Sequence, residues 1–130
     1  LPLAGRRCNL QKDTVDSTLD AQVQGARPLV QRLKQEYRPT EVWLFGSRAR
    51  GTATADSDWD FLVVVPDETD DDVLDPLRAW RVQKEARVVA DIVVCKEHDF
   101  RADRDTVNTL GYVVAREGIR VFERGAPDRQ

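Results

Sequence analysis

The sequence predicts an α/β fold, on three observations. Segments of helical and of strand-like pattern alternate along the chain, the order that gives a sheet covered by helices. Two strand segments, WDFLVVV at 59–65 and VVADIVVC at 88–95, are almost continuously apolar, so their sheet must be covered on at least one face. The 130 residues show no internal repeat and no domain linker, and that length suits one hydrophobic core.

Residues 1–25 are mixed and polar with weak periodicity, which predicts an N-terminal arm with room for one short helix. A helix starts near Pro28 and carries Leu29, Leu33 and Tyr37 on one face, until Pro39 stops it. EVWLF at 41–45 is a strand, and GSRARGTATADSD is a loop with a short helical turn near its start. The strand at 59–65 ends at Pro66 and the acidic run 67–72, expected to be a solvated loop. Residues 73–87 predict a helix with Val73, Leu77, Trp80 and Lys84 roughly on one side. After the strand at 88–95, EHDF opens a short helix. A last helix spans 106–117 with Leu110, Val113 and Val114 as its stripe, Gly118 as its cap, and a final strand IRVF at 119–122 behind it. Residues 125–130 form a tail.

Composition narrows the function classes. Apolar residues make up 41% and charged residues 33%, the balance of an ordered globular protein. A formal net charge of −3 gives no general attraction to nucleic acid or to an anionic membrane, so neither direct DNA binding nor membrane attachment is expected. No run reaches transmembrane length, and the N-terminal LPLAGRRCNLQ lacks the apolar stretch of a signal peptide. Cys8 and Cys95 fit neither a zinc site nor a disulfide scaffold. Two reduced thiols in a cytoplasmic protein are the expectation.

The chemistry concentrates at a few positions. Asp58 and Asp60 stand two apart at the mouth of a strand, so their side chains share a face that continues as Leu62 and Val64. Two carboxylates there repel unless a cation balances them. Asp91 interrupts the most apolar strand and needs a partner of its own. The same cation serves all three if the two strands are neighbours, and hard carboxylate oxygens suit Mg2+. Gly46-Ser47 follows directly on a strand, where a glycine admits close approach of phosphate and a serine adds a donor. Arg48 and Arg50 are candidate phosphate contacts. Carboxylates for a metal beside a phosphate-holding turn are what phosphoryl or nucleotidyl transfer requires.

With those residues in view, VWLFGSRARGTATADSDWDFLVV resembles the signature of the DNA polymerase beta-like nucleotidyltransferase superfamily, and more closely the minimal nucleotidyltransferases of bacteria and archaea. The signature's Gly-Ser pair matches Gly46 and Ser47, its Asp-x-Asp matches Asp58 and Asp60, and its later carboxylate matches Asp91. The ending Arg116, Glu117, Gly118 and the strand after it resemble the same proteins, so the likeness spans about residues 26–124. It implies a small twisted mixed sheet backed by helices. It further implies that Asp58 and Asp60 bind metal, that Asp91 completes the site and assists deprotonation of the acceptor hydroxyl, and that Gly46 and Ser47 hold the terminal phosphates. The implied reaction moves a nucleoside monophosphate from a nucleoside triphosphate, ATP first among them, to a hydroxyl.

The resemblance also bears on partners. Minimal members are often paired with a small all-helical HEPN-type toxin, and some transfer AMP to it. Aminoglycoside-modifying relatives carry an extra helical substrate domain, for which 130 residues leave no room, so modification of a partner ranks first. A non-catalytic antitoxin-like binder and a purely structural α/β domain remain the competing classes. An open substrate side invites a homo- or hetero-oligomer. Of the other polar residues, His98 is expected to be exposed and not catalytic. Lys84 is either a nucleotide contact or a surface lysine. Trp43, Trp59 and Trp80 are assigned to packing.

Overall fold

The structure, a computed structural model, describes residues 23–124. The arm up to residue 22, with Cys8, and the tail at 125–130 lie outside the described residues. A short 3-10 turn at Gln24–Ala26 leads into α1, Arg27–Tyr37. Pro28 sits in its first turn, where a missing N–H is no loss and the fixed φ is already helical. Leu29, Leu33 and Tyr37 are buried, as their spacing predicts, together with Ala26 and Val30. Arg38 ends the helix in left-handed backbone, its N–H returning to the Lys34 carbonyl, and Pro39 prevents continuation.

Strand β1 (Glu41–Phe45) pairs antiparallel with β2 (Trp59–Val65) on one side and with β4 (Ile119–Glu123) on the other. Strand β3 (Ala90–Lys96) runs parallel to β2. The order across the sheet is β3-β2-β1-β4, a mixed sheet with β2 in its interior. Helices cover both faces of β2, and Phe61 through Val65 are all buried, which is why that segment is apolar without alternation. Burial of each such side chain contributes about 1.5–3 kcal/mol.

Alternation divides the sheet residues between two cores. Val42, Leu44, Phe61, Val63 and Val65 pack with α1 and with Val82. On the other face Leu62 and Val64 meet Phe100 and Val114, with Trp43, Phe45 and Cys95 at the margin. Burial pushes the Cys95 thiol up to about 12, so it stays protonated and unreactive at neutral pH.

The helix expected over 73–87 begins later. Asp71–Leu74 form a 3-10 turn and α2, the one-turn helix Ser47–Arg50, precedes β2, so the long crossover helix is α3, Pro76–Ala86. Asp75 caps α3 by accepting from the Leu77 N–H at 3.0 Å. Asp75→Ala removes that acceptor and is expected to cost about 1 kcal/mol, read as a lower urea midpoint at unchanged slope.

The inner face of α3 also differs from expectation. Ala79 and Val82 are buried, while Leu77 is 69% and Trp80 55% exposed. The cause is the contact with α1. Arg78 pairs with Glu36 at 2.6 Å and lies over the Tyr37 ring, which turns the small Ala79 inward and the larger side chains out. Lys84 rests 4.7 Å over the Trp80 ring. The packing role assigned to Trp80 therefore does not hold. Trp59 and Trp43 do pack, against Phe61 and Phe100 respectively.

Helix α4 spans Glu97–Asp103 and α5 spans Leu110–Glu117. The start of α5 lies four residues beyond the expected 106 because Thr109 is the cap, accepting from the Tyr112 N–H at 3.1 Å. Val114 faces the core, while Leu110 and Val113 of the expected stripe stay partly exposed. Gly118 closes α5, as expected, in extended backbone. Its glycine is required by space, since a Cβ there would lie 2.6 Å from the Val114 carbonyl oxygen and 3.0 Å from that of Leu44.

The acidic run is exposed but anchored. Asp71 pairs with Lys96 at 2.6 Å, and Asp67 accepts from the His98 N–H at 2.8 Å. That bond holds the Asp67 carboxyl below the usual range. His98 is exposed, as expected. No helix among the described residues is long and apolar enough to cross a membrane.

Candidate active site

The site starts where β1 ends. Gly46 has φ 78° and ψ −160°, a backbone region that only glycine occupies without strain. A Cβ at Gly46 would overlap Oδ2 of Asp60, so the carboxylate lies directly against the backbone of the turn. Ser47 opens α2, and the amides of Ala49 and Arg50 return to the Gly46 carbonyl at 3.0 and 3.1 Å. The Ser47 amide, at the head of the turn, has no acceptor within the helix.

Asp60 is the second residue of β2. The register places it opposite Phe45 on one side and beside Asp91 on the other. Phe45, Asp60 and Asp91 thus form one row across three strands, on the face that continues as Leu62 and Val64. Asp60 is half-buried, while Asp58 and Asp91 are exposed. Burial first, then the negative charges of Asp91 and Asp58, push the Asp60 carboxyl above its ordinary value. Arg50 pulls it the other way, and a side-chain hydrogen bond with Asp91 favours the protonated form.

The two arginines after Ser47 have different surroundings. Arg50 lies near enough to act on Asp60 and pairs with Glu117 at 3.7 Å, which brings the end of α5 to the site. Arg48 turns to the loop before β2, where it donates to the Ser57 and Thr54 carbonyls and stacks on Trp59. Lys84 is on α3, against the opposite face of the sheet from Asp60 and Asp91, and belongs to the surface.

With the row of carboxylates and the glycine turn in place, comparison with known proteins becomes decisive. The sequence model of the nucleotidyltransferase domain matches residues 27–113. The chain belongs to the nucleotidyltransferase domain family. Among solved structures, a candidate nucleotidyltransferase from Sulfolobus solfataricus is similar at a TM-score of 0.54 with 24% identity, covering 83% of this chain and 86% of that one. A toxin-antitoxin structure with AMP-PNP is similar at a TM-score of 0.50 with 19% identity, covering 78% of this chain and 76% of that one. At these identities the two share the fold. No curated protein matches the sequence.

The nucleotidyltransferase domain is a fold whose chemistry uses a nucleoside triphosphate and a divalent metal, and the residues present fit such an ion. Among the described residues none of the ion pairs includes Asp58, Asp60 or Asp91, and the repulsion that raises Asp60 is what a cation would relieve. Among the described residues no three His, Cys, Asp or Glu side chains form a ready-made metal cage.

The structure also supplies contacts that the residue pattern did not single out. Glu117 reaches Arg50, and the Thr54–Ser57 turn carries two carbonyls to Arg48. Backbone carbonyls leave no mark in a sequence. The Arg-Glu-Gly ending was the only signal that could have pointed to Glu117.

Proposed function

We propose that this nucleotidyltransferase domain moves a nucleoside monophosphate, AMP from ATP first among them, to a hydroxyl on a partner protein, with a small helical HEPN-type toxin as the partner. The observation that carries the reading is the pairing of Asp60 with Asp91 on adjacent parallel strands, against the Gly46 turn. In this reading Gly46 and Ser47 hold the β- and γ-phosphates, and Arg50 offsets their charge. Asp58, Asp60 and Asp91 hold Mg2+, which when bound supplies charge stabilisation at phosphorus and at the leaving group. The acceptor oxygen bonds to the α-phosphorus, the bond to the bridging oxygen breaks, pyrophosphate leaves, and the Asp91 carboxylate takes the acceptor proton.

Support for a partner protein comes from two sources. One structural neighbour is a toxin-antitoxin structure with AMP-PNP. The exposed Leu77, Trp80 and Val89 offer apolar surface for a partner. The same surface supports the second reading, an antitoxin-like protein that neutralises its partner by binding alone. Transfer to a small molecule of the aminoglycoside type ranks behind both.

The test is label transfer from α-labelled ATP with Mg2+, using the chain together with the protein encoded beside it. Label on that protein establishes protein nucleotidylation. A tight complex that survives Asp60→Asn, with no label under any triphosphate, would replace transfer by neutralisation through binding.

A further inference from the structure

Asp58 precedes β2 and so lacks the strand register that places Asp60 and Asp91. Its position is set from two sides. Behind it, the Trp59 N–H donates to the Val89 carbonyl at 3.2 Å. Ahead of it, the Ser57 carbonyl accepts from Arg48 Nη2 at 2.8 Å and Nε at 3.2 Å. That carbonyl belongs to the peptide unit joining Ser57 to Asp58, so fixing it fixes the peptide plane on which Asp58 hangs.

The loop is shaped to present its carbonyls to one guanidinium. The Thr54 N–H donates to Ser57 Oγ at 2.9 Å and the Ser57 N–H to the Thr54 carbonyl at 3.1 Å, closing a tight turn. The Thr54 carbonyl also accepts from Arg48 Nη2, at 3.3 Å. The guanidinium carbon lies 4.2 Å from the Trp59 ring centroid, a cation–π contact that helps to hold it in place.

We infer that Arg48 is a positioning residue: stacked on Trp59, it grips the Ser57 and Thr54 carbonyls and so ties the Gly46-Ser47 turn to the loop that presents Asp58. This rests on the reading of Asp58 as a metal ligand given above. It assigns to Arg48 a backbone contact in place of a phosphate contact. Only a planar fork on an aromatic face makes this set of contacts, so lysine is no substitute. A phosphate contact would instead be recovered in part by lysine, which binds phosphate as a point charge.

The variants are Arg48→Gln and Arg48→Lys in the full chain. In the metal-free protein, both are expected to raise deuterium uptake at the amides of residues 54–58 while leaving β2 and β3 protected. Mn2+ binding, followed by its paramagnetic signal, is expected to weaken about tenfold in both, as for loss of a group that orients a metal ligand. In transfer, the metal requirement should rise with kcat falling, while KM for the triphosphate at saturating metal stays within about twofold. Unchanged exchange and Mn2+ binding, with a triphosphate KM raised by Arg48→Gln and less so by Arg48→Lys, would overturn the inference in favour of a phosphate contact. Should Arg48→Gln not fold, Arg48→Lys keeps the stem and charge and carries the comparison. Inactivity of the unsubstituted chain would count against the transfer reading alone, since exchange is read without catalysis.

Discussion

Gly46→Ala is expected to cut transfer about a hundredfold and to lower stability at the same time. Two costs combine. The backbone at φ 78° and ψ −160° strains any residue with a Cβ by about 1–3 kcal/mol. The added methyl also overlaps Oδ2 of Asp60, so either the turn or the carboxylate must move. A displacement of about 1 Å at a reacting group costs about a hundredfold in rate. Label transfer and thermal unfolding read the two effects. The Asp60→Ala background separates them: with the carboxylate gone, part of the stability loss should disappear and the strain remain, a non-additivity that marks direct contact. Equal losses in both backgrounds would show that backbone strain alone is responsible.

Asp60→Asn is expected to move activity and stability in opposite directions. Transfer should fall about a thousandfold, the equivalent of several kcal/mol of charge stabilisation. Stability at neutral pH without divalent metal should rise. The folded protein holds the Asp60 carboxyl above its ordinary value, so the protonated form is favoured by folding and the ionised form is disfavoured. The stabilising contribution is present at acid pH and lost as pH rises through the raised value. Asparagine removes the ionisation and with it the repulsion from Asp91 and Asp58. The gain in Tm over the parent should therefore be largest near neutrality and vanish at acid pH. A parent and variant with parallel pH profiles would sink the account of the site as a cluster of mutually repelling carboxylates.

Much of the framework is legible in the sequence because the sheet imposes simple demands. β2 is apolar since helices cover both its faces, β3 packs Ile92 and Val94 against one core only, and a carboxylate inside such a run stands out, as Asp91 does. Residues two apart in a strand share a face, so Asp60 could be grouped with Leu62 and Val64 before any coordinates, whereas Asp58 lies ahead of β2 and strand parity does not place it. That β3 lies beside β2 in parallel, with Asp91 level with Asp60, comes from long-range pairing that local pattern does not encode. Helix α3 shows the opposite failure. Its largest apolar residues, Leu77 and Trp80, read as an inner face, yet close packing against α1 selects the small Ala79. Size, not hydrophobicity, decides which residue fits between a helix and its neighbour at short range. Cap residues were the remaining source of error. Asp75-Pro76 and Thr109 mark the true starts of α3 and α5, where apolar spacing alone extends each helix too far toward its N-terminus.

The row Phe45–Asp60–Asp91 runs across the strands, along the direction of the interstrand hydrogen bonds. Its alignment is therefore independent of how much chain separates the strands. An insertion or deletion of codons between Gly51 and Ala53 leaves that register intact, although it disturbs the Thr52 N–H bond to the Ser47 carbonyl and the loop that Arg48 grips. One codon gained or lost within 59–65 has another result, because it rotates Asp60 to the opposite side of the sheet and turns the interior of the protein outward. Within a few codons of each other the gene thus has a stretch whose length the sheet does not dictate and one whose length it does.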